Sequence, residues 1–522
     1  MGYSEPRNTP LKANWKCILM CVIMSTSYFQ YSFDANMISG FQAMTGFLKV
    51  FGYQDPRSAT GWNIDVQSQQ LITSCLNIGI IVSTLLVVPL EKFHGRRVGI
   101  WAASLITFIG AAIQIAATNI AAICVGRVFM GIANGFYLTF ANVYIVEITP
   151  PHLRVTLGSL FGPWIQVGGL VATVADNFSK NDLSKLSYQI PLACLYPIPA
   201  ILSVLIIFLP ESTRWLLSHG HSRQAEEALK RLRGDSLNPE LLREEYIEME
   251  KGIEEEKRLS TSRSFLDIFQ GTDFRRTVIC VAVIVSHASS GITLFLAYGT
   301  YFYQVAGIQD AFIMGIYNSL TGLIAALVGM YLMLKHLGRR SMMLIGTGMA
   351  ALSMLAVGIA NSVAPHTKAA GNTFVAFIVI YAFFYGCFSA PMSWPLAAEV
   401  VSSKNRGATF ALAIGINYFF AWLVSFCSPY FINPSQLNWG ARYCYIWAAA
   451  NIATFIFFFF FLPEVKGRTL EEIDELFQNK VSTFDFPKYE CISGQRAREL
   501  ASGVAVDTLK SDDETRRGEK PN

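Results

Sequence analysis

Charge is what this sequence is short of. Only 15% of its 522 residues are Asp, Glu, Lys or Arg, against about 25% in soluble domains. With 52% apolar residues, a soluble chain would need an outsized core; the deficit fits a surface facing lipid. The net charge is +4, from 41 basic and 37 acidic residues, which makes no case for nucleic acid. Metal-ligand spacing is missing too. The ten cysteines are mostly single and sit in apolar runs, as Cys17, Cys21, Cys75, Cys124, Cys194 and Cys280 do, and read as small buried hydrophobes. There is no Gly-rich phosphate loop, no HExxH and no nucleophile elbow, and isolated Ser, His and Asp are scattered along the chain. Neither an enzyme, nor a metal, nor a cofactor is expected. The first apolar run lacks a small-residue cleavage site, so it is expected to remain as a helix.

What the chain has instead is long hydrophobic runs. A bilayer core takes roughly 20 apolar residues per helix, and twelve segments meet this, from Trp15–Asp34 to Tyr443–Leu462. The expected fold is an all-α membrane protein with twelve transmembrane helices in two six-helix halves. Residues 1–14 form a cytoplasmic N-terminus, 15–209 the first bundle and 210–275 a charged connector with short helices. Residues 276–462 form the second bundle and 463–522 a cytoplasmic tail that loses order after Phe484, above all from Lys510 to Asn522. Bases in the loops at Lys92/Arg96/Arg97, Arg154, Lys335/Arg339/Arg340 and Lys404/Arg406 all fall on the connector's side. The positive-inside rule makes that side cytoplasmic. In the connector, Glu226/Lys230 and Glu227/Arg231 have the i,i+4 spacing of helix-face ion pairs. Asn177-Phe178-Ser179 has the form of a glycosylation acceptor on the outer side, although its place at a helix end argues against use.

The two halves repeat a pattern. Gly95-Arg96-Arg97 is matched by Gly338-Arg339-Arg340, and Glu147 followed by Arg154 is matched by Glu399 followed by Arg406. These eight charges flank cytoplasmic helix ends, where bridges are expected to close an inner gate. Two further charges lie inside apolar runs. Asp34 ends the first run, and Arg127 is the only charge between Thr118 and Glu147. Charges at such depth are costly unless paired, so the two are expected to meet. Burial favours the neutral acid and a nearby guanidinium favours the carboxylate. A change in their separation could thus couple proton movement to solute movement; a static ion pair is the alternative.

Taken together, these stretches resemble the sugar porter family of the major facilitator superfamily, fungal branch, over roughly Gln30 to Phe477. The likeness rests on Phe33-Asp34, Ile38-Ser39-Gly40, Gly95-Arg96-Arg97, Gly126-Arg127, Tyr144-Ile145-Val146-Glu147 and Pro210-Glu211-Ser212-Thr213-Arg214-Trp215 in the first half. In the second it rests on Ser290-Gly291-Ile292, Gly338-Arg339-Arg340, Trp394, Glu399, Arg406-Gly407, Asn417 and Pro463-Glu464 through Glu471-Glu472. The resemblance implies alternating access around a central site. It implies Asp34 and Arg127 as the proton-coupling pair, Trp394 stacking on the solute and Asn417 hydrogen-bonding it.

The departures concern amides. Where the family places Gln-Gln on its seventh helix, here Thr277–Val305, this chain has His287-Ala288, and Thr293 stands at the following Asn. The family's fifth-helix Gln falls at Gly162 in Leu157–Asn177, with Gln166 one turn on, and a polar position of the eleventh helix, Gly407–Tyr430, is Ala421. Sugar hydroxyls both donate and accept, and amides answer both needs. Each hydroxyl left unpaired costs about 1–3 kcal/mol. The pocket, with Gln166, His287, Thr293, Asn318, Trp394 and Asn417 as its polar candidates, should therefore be less polar and more aromatic than a glucose site. The expectation is a proton-coupled symporter of a sugar or related polyhydroxylated solute, working as a monomer in the plasma membrane. The alternatives are a carrier or exporter of a less polar metabolite, a uniporter and a transporter-like nutrient sensor.

Overall fold

The computed structural model describes residues 14–56, 61–233, 239–260, 265–308, 310–335, 337–365, 367–402, 406–466, 468, 470–489 and 491. Eleven helices among the described residues are long and apolar enough to cross a bilayer. They are α2 Val66–Glu91, α3 Phe93–Ala116, α4 Ile120–Ile148, α5 Thr156–Ser179, α6 Leu186–Phe208, α7 Gly271–Val305, α8 Ala311–Met333, α9 Arg339–Val363, α10 Lys368–Val400, α11 Gly407–Ile432 and α12 Gly440–Phe461. Ahead of them runs α1, Trp15–Phe41, which is long enough but too rich in Ser, Asn, Gln and Asp to meet the same apolar measure. Among the described residues the architecture is all-α apart from one hairpin that pairs Tyr53 with Asn63.

Water-free surroundings force each backbone donor into its own helix, and the sequence supplies caps where helices begin. Asp65, Asn119 and Thr367 each accept from a backbone N–H of the first turn. Helices α2 and α4 touch backbone to backbone. A Cβ on Gly79 would lie 2.3 Å from the Val128 carbonyl, and one on Gly131 would lie 2.2 Å from that of Leu76. Separate apolar cores hold each half, one around Tyr137, Phe140 and Tyr144, another around Ile284, Met343 and Leu396. The halves meet where α1 faces α7, α2 faces α11 and α5 faces α8.

Three boundaries differ from the sequence expectation. Helix α1 continues seven residues beyond Asp34, so the carboxylate sits inside the helix and not at its end. The small polar run Ala35–Gly40 ends the apolar pattern but not the helix, because it packs on protein and not on lipid. Helix α7 begins at Gly271, inside the segment assigned to the connector, since Arg275 and Arg276 face the folded tail. That tail holds its shape past Phe484: Arg468 donates to the carbonyls of Phe486 at 3.0 Å and Tyr489 at 2.7 Å. Residues 510–522 lie outside the described ones.

The connector forms helices Thr213–Ser218, Ser222–Arg233 and Pro239–Ser260. Ala225, Ala228 and Leu229 bury one face. Lys230 pairs with Glu226 at 2.7 Å as its spacing suggests, but Glu227 pairs with Arg223 at 3.3 Å and not with Arg231. Arg233 ties the connector to the first half: it donates to Glu245 at 2.5 Å and to the Ile148 carbonyl at the end of α4 at 2.9 Å.

Candidate transport site

Two of the helices that face the centre are broken, and the sequence causes both breaks. Helix α7 is interrupted at Ser290-Gly291, where Gly291 has φ +91°, a conformation that costs a side-chain-bearing residue about 1–3 kcal/mol. A Cβ there would also lie 3.1 Å from Trp447. The freed Ser290 carbonyl accepts from Tyr381 of α10 at 3.2 Å and from Asn451 of α12 at 3.1 Å. Helix α10 carries a π-helical turn at Tyr385–Ser389, followed by Pro391 and Pro395, a distortion common at functional sites.

These breaks bring His287, Tyr385, Ser393 and Trp394 together. Both ring nitrogens of His287 are in 2.6 Å hydrogen bonds, Nδ1 with the Tyr385 hydroxyl and Nε2 with that of Ser393. The Trp394 ring lies 6.1 Å from the imidazole. From the first half, Gln166 reaches across the interface until its Oε1 would be 2.5 Å from a Cβ on Gly322 of α8. Asn318 and Asn417 each bury an amide oxygen with no hydrogen-bond partner. Thr293 is half-buried in the first turn after the break. Asn177 lies in the last helical turn of α5 with its amide oxygen enclosed and unpartnered.

Asp34 and Arg127 meet. Arg127 Nη1 donates to Asp34 Oδ1 at 2.9 Å, and both side chains are fully buried. A third member was not foreseen: Asn134 Nδ2 donates to Asp34 Oδ2 at 2.7 Å. Its signal was its position, two turns after Arg127 on the same face of α4. The carboxylate thus has one donor per oxygen, while Arg127 Nε and Nη2 have no protein partner. Removing one member of so deep a pair costs about 3–5 kcal/mol.

At the end that carries the connector, the halves carry one cluster twice. Arg96 donates to Glu147 at 3.0 and 2.7 Å, and the Arg96 and Arg97 amides donate to Glu211 at 3.1 and 3.2 Å. Arg339 donates to Glu399 at 3.1 and 3.0 Å, and the Arg339 and Arg340 amides donate to Glu464 at 2.9 and 3.1 Å. Glu211 and Glu464 stood in the Pro210-Glu211 and Pro463-Glu464 stretches that carry the family resemblance, though not as caps. Glu91 accepts from Arg96 at 2.8 Å. The side chains of Arg154 and Arg406 lie outside the described residues. Each of these ion pairs stays within its own half.

The halves are joined instead at the end away from the connector, which the sequence reading places outside, by neutral hydrogen bonds. Asn433 Nδ2, just beyond α11, donates to the Ile64 carbonyl at 3.1 Å and to Gln69 at 3.2 Å, and its oxygen accepts from Asn63 at 3.3 Å. Asn77 donates to Ser425 at 3.0 Å, and Thr73 bonds the Tyr298 hydroxyl. Ser39 and Thr300 are 3.4 Å apart. In this conformation the two halves are closed on each other at this end.

The comparisons agree with this geometry. The profile of the family described as sugar (and other) transporter matches residues 19–477. The chain belongs to that family. It is therefore a multi-pass membrane transporter. It is 28% identical over 519 residues to the major facilitator-type transporter ecdD of Aspergillus rugulosus, covering 97% of this chain and 95% of that one. It is 27% identical to a low-affinity glucose transporter of Kluyveromyces lactis, covering 95% and 87%, and 27% identical to a galactose transporter of Saccharomyces cerevisiae, covering 89% and 81%. Among solved structures it is similar to the proton:xylose symporter XylE bound to 6-bromo-6-deoxy-D-glucose, with TM-score 0.71, 21% identity and coverage of 89% and 100%. It is also similar to inward-open XylE from E. coli, with TM-score 0.69, 22% identity and coverage of 88% and 99%. These likenesses carry the major facilitator fold.

Proposed function

We propose that this chain is a proton-coupled symporter that imports a sugar or related polyhydroxylated solute across the plasma membrane by alternating access, as a monomer of twelve spanning helices in two six-helix halves. In this reading α1 is the twelfth span, with its polar side chains turned inward. The observation that carries the reading is the fully buried Asp34–Arg127–Asn134 cluster. A carboxylate held by one guanidinium and one amide releases its proton, and it takes one up when Arg127 withdraws. Relatives named for glucose and galactose, and a structural neighbour named as a proton:xylose symporter, support the solute class and the coupling.

Solute would enter between Gln166 and Asn318 on one side and Trp394, Asn417 and the His287 group on the other. The unpartnered amide oxygens of Asn318 and Asn417 suit hydroxyl donors. The duplicated Arg–Glu clusters would form the inner gate: each Glu is held by its own half here, and would be shared with the other half when the outer end opens. A second reading, a less polar metabolite, gains support from the His287–Tyr385–Ser393 group, whose polar atoms bond one another beside the Trp394 ring. Uptake of radiolabelled sugars, polyols and organic acids into proteoliposomes, with and without an inward proton gradient, separates the readings. Gradient-driven accumulation of a polyol or sugar supports the first. Uptake confined to less polar acids supports the second.

A further inference from the structure

Helix α5 buries a second carboxylate, Asp176, which the Asp34 cluster does not explain. Asp176 is 1% exposed, and neither of its oxygens has a hydrogen-bond partner. It is pressed against Gly40 of α1, where a Cβ would lie 2.2 Å from Oδ2. Gly40 is six residues beyond Asp34, about 9 Å nearer the outer end of the helix. A lone buried carboxylate without donors is far costlier than the neutral acid. No group of three or more His, Cys, Asp or Glu that could hold a metal occurs among the described residues. A proton is thus the counter-charge this pocket accommodates.

The surroundings tie that proton to the outer gate. Next to Gly40, Ser39 bonds across the halves to Thr300. One turn before Asp176, Thr173 donates across the halves to Ser319 of α8 at 3.5 Å. One turn after it, Lys180 does not fold back on the carboxylate; its ammonium lies over the Phe312 ring of α8 at 5.4 Å. All three contacts end on the second half, so they part when the outer end opens. Water then reaches Asp176, and Lys180, at i+4, is freed to pair with it. The other ionisable groups around this pocket leave the site to Lys180. On α1, Asp34 is engaged by Arg127. On α6, Tyr188 packs into the ring cluster of Phe41 and Phe47. In the loop, Asp182 caps Ser184 at 2.8 Å, and Lys185 and Asp310 are exposed.

We infer that Asp176 is a second proton-binding site of the transport cycle, protonated while the outer end is closed and ionised against Lys180 when it opens. The inference rests on the proton-coupled reading, but its test does not use transport. Infrared titration of the full-length protein in lipid reads the carbonyl stretch of protonated carboxyl groups, with the proton itself as the ligand. A band near neutral pH should be present in the wild type and in Asp34→Asn, and absent from Asp176→Asn and Asp176→Ser. In Asn433→Ala, once spin-label distances show its outer ends apart, the band should titrate away at least about one pH unit lower, a tenfold loss of proton affinity. Adding Lys180→Met should reduce that shift. A wild type without the band, or a band that titrates identically in the closed and opened proteins, overturns the inference. Proton-driven accumulation persisting in Asp34→Asn would instead overturn the Asp34 reading and leave the infrared result standing.

Discussion

Asn433→Ala is expected to open the outer end of the carrier. Asn433 makes three cross-half hydrogen bonds, to Ile64, Gln69 and Asn63, at 3.1 to 3.3 Å. A neutral hydrogen bond is worth about 1 kcal/mol net, so their loss removes up to about 3 kcal/mol from the outward-closed state. Water can replace the lost partners at this end, which lowers the effect to about 1.5–3 kcal/mol. At about 1.4 kcal/mol per decade, the closed-to-open ratio should fall roughly tenfold to a hundredfold. Spin labels on the outer ends of α2 and α11 would report it by pulsed dipolar spectroscopy as growth of a longer-distance population. Thr73→Ala, which removes the bond to Tyr298, should act in the same direction, and the pair should be roughly additive if the bonds act independently. Distance distributions unchanged in both variants would refute the view that this neutral clamp holds the outer side shut.

Other consequences are more local. Gly291→Ala should cost about 1–3 kcal/mol, from its positive φ and the close Trp447 ring, seen as a lower melting temperature in detergent. Glu464→Gln weakens the acceptor for the Arg339 and Arg340 amides; because hydrogen bonds to charged groups are worth about 1.5–3 kcal/mol, cysteine labelling at the start of α9 should become faster. Arg233→Ala should release the connector from Ile148 and Glu245, at about 3 kcal/mol for a largely buried pair, read as quicker proteolysis within Pro239–Ser260. His287→Phe removes the partner of Tyr385 and Ser393. It should raise the KM of a polyhydroxylated solute at least about tenfold, the effect of about 1.4 kcal/mol, with a smaller change for a less polar one.

The sequence made some of this plain. Lipid tolerates only long apolar runs, so twelve segments could be read from the sequence, eleven of which are helices long and apolar enough to span, and isolated intramembrane charges have few partners, so Asp34 could be matched to Arg127. Duplicated motifs marked Arg96 with Glu147 and Arg339 with Glu399 as equivalent clusters. Neutral polar groups were harder to place. Asn134 stands two turns after Arg127 on the same face of α4, but among many amides that spacing alone does not single it out as the third member of the Asp34 group. Asn63 and Asn433 are 370 residues apart, and their bond exists only because the two halves close on each other. Asp176 was hidden at the end of an apolar run, where a carboxylate reads as a helix terminus reaching water; only the packing of α5 on Gly40 shows that it is enclosed.

The central claim is that the Asp34–Arg127 pair couples protons to solute. It is tested most directly by comparing gradient-driven accumulation with solute exchange at equal pH, in proteoliposomes holding wild type or Asp34→Asn. The wild type should concentrate its solute by up to about tenfold per pH unit for each proton carried, and Asp34→Asn should exchange solute yet accumulate none. Equal accumulation by the two proteins would contradict the claim.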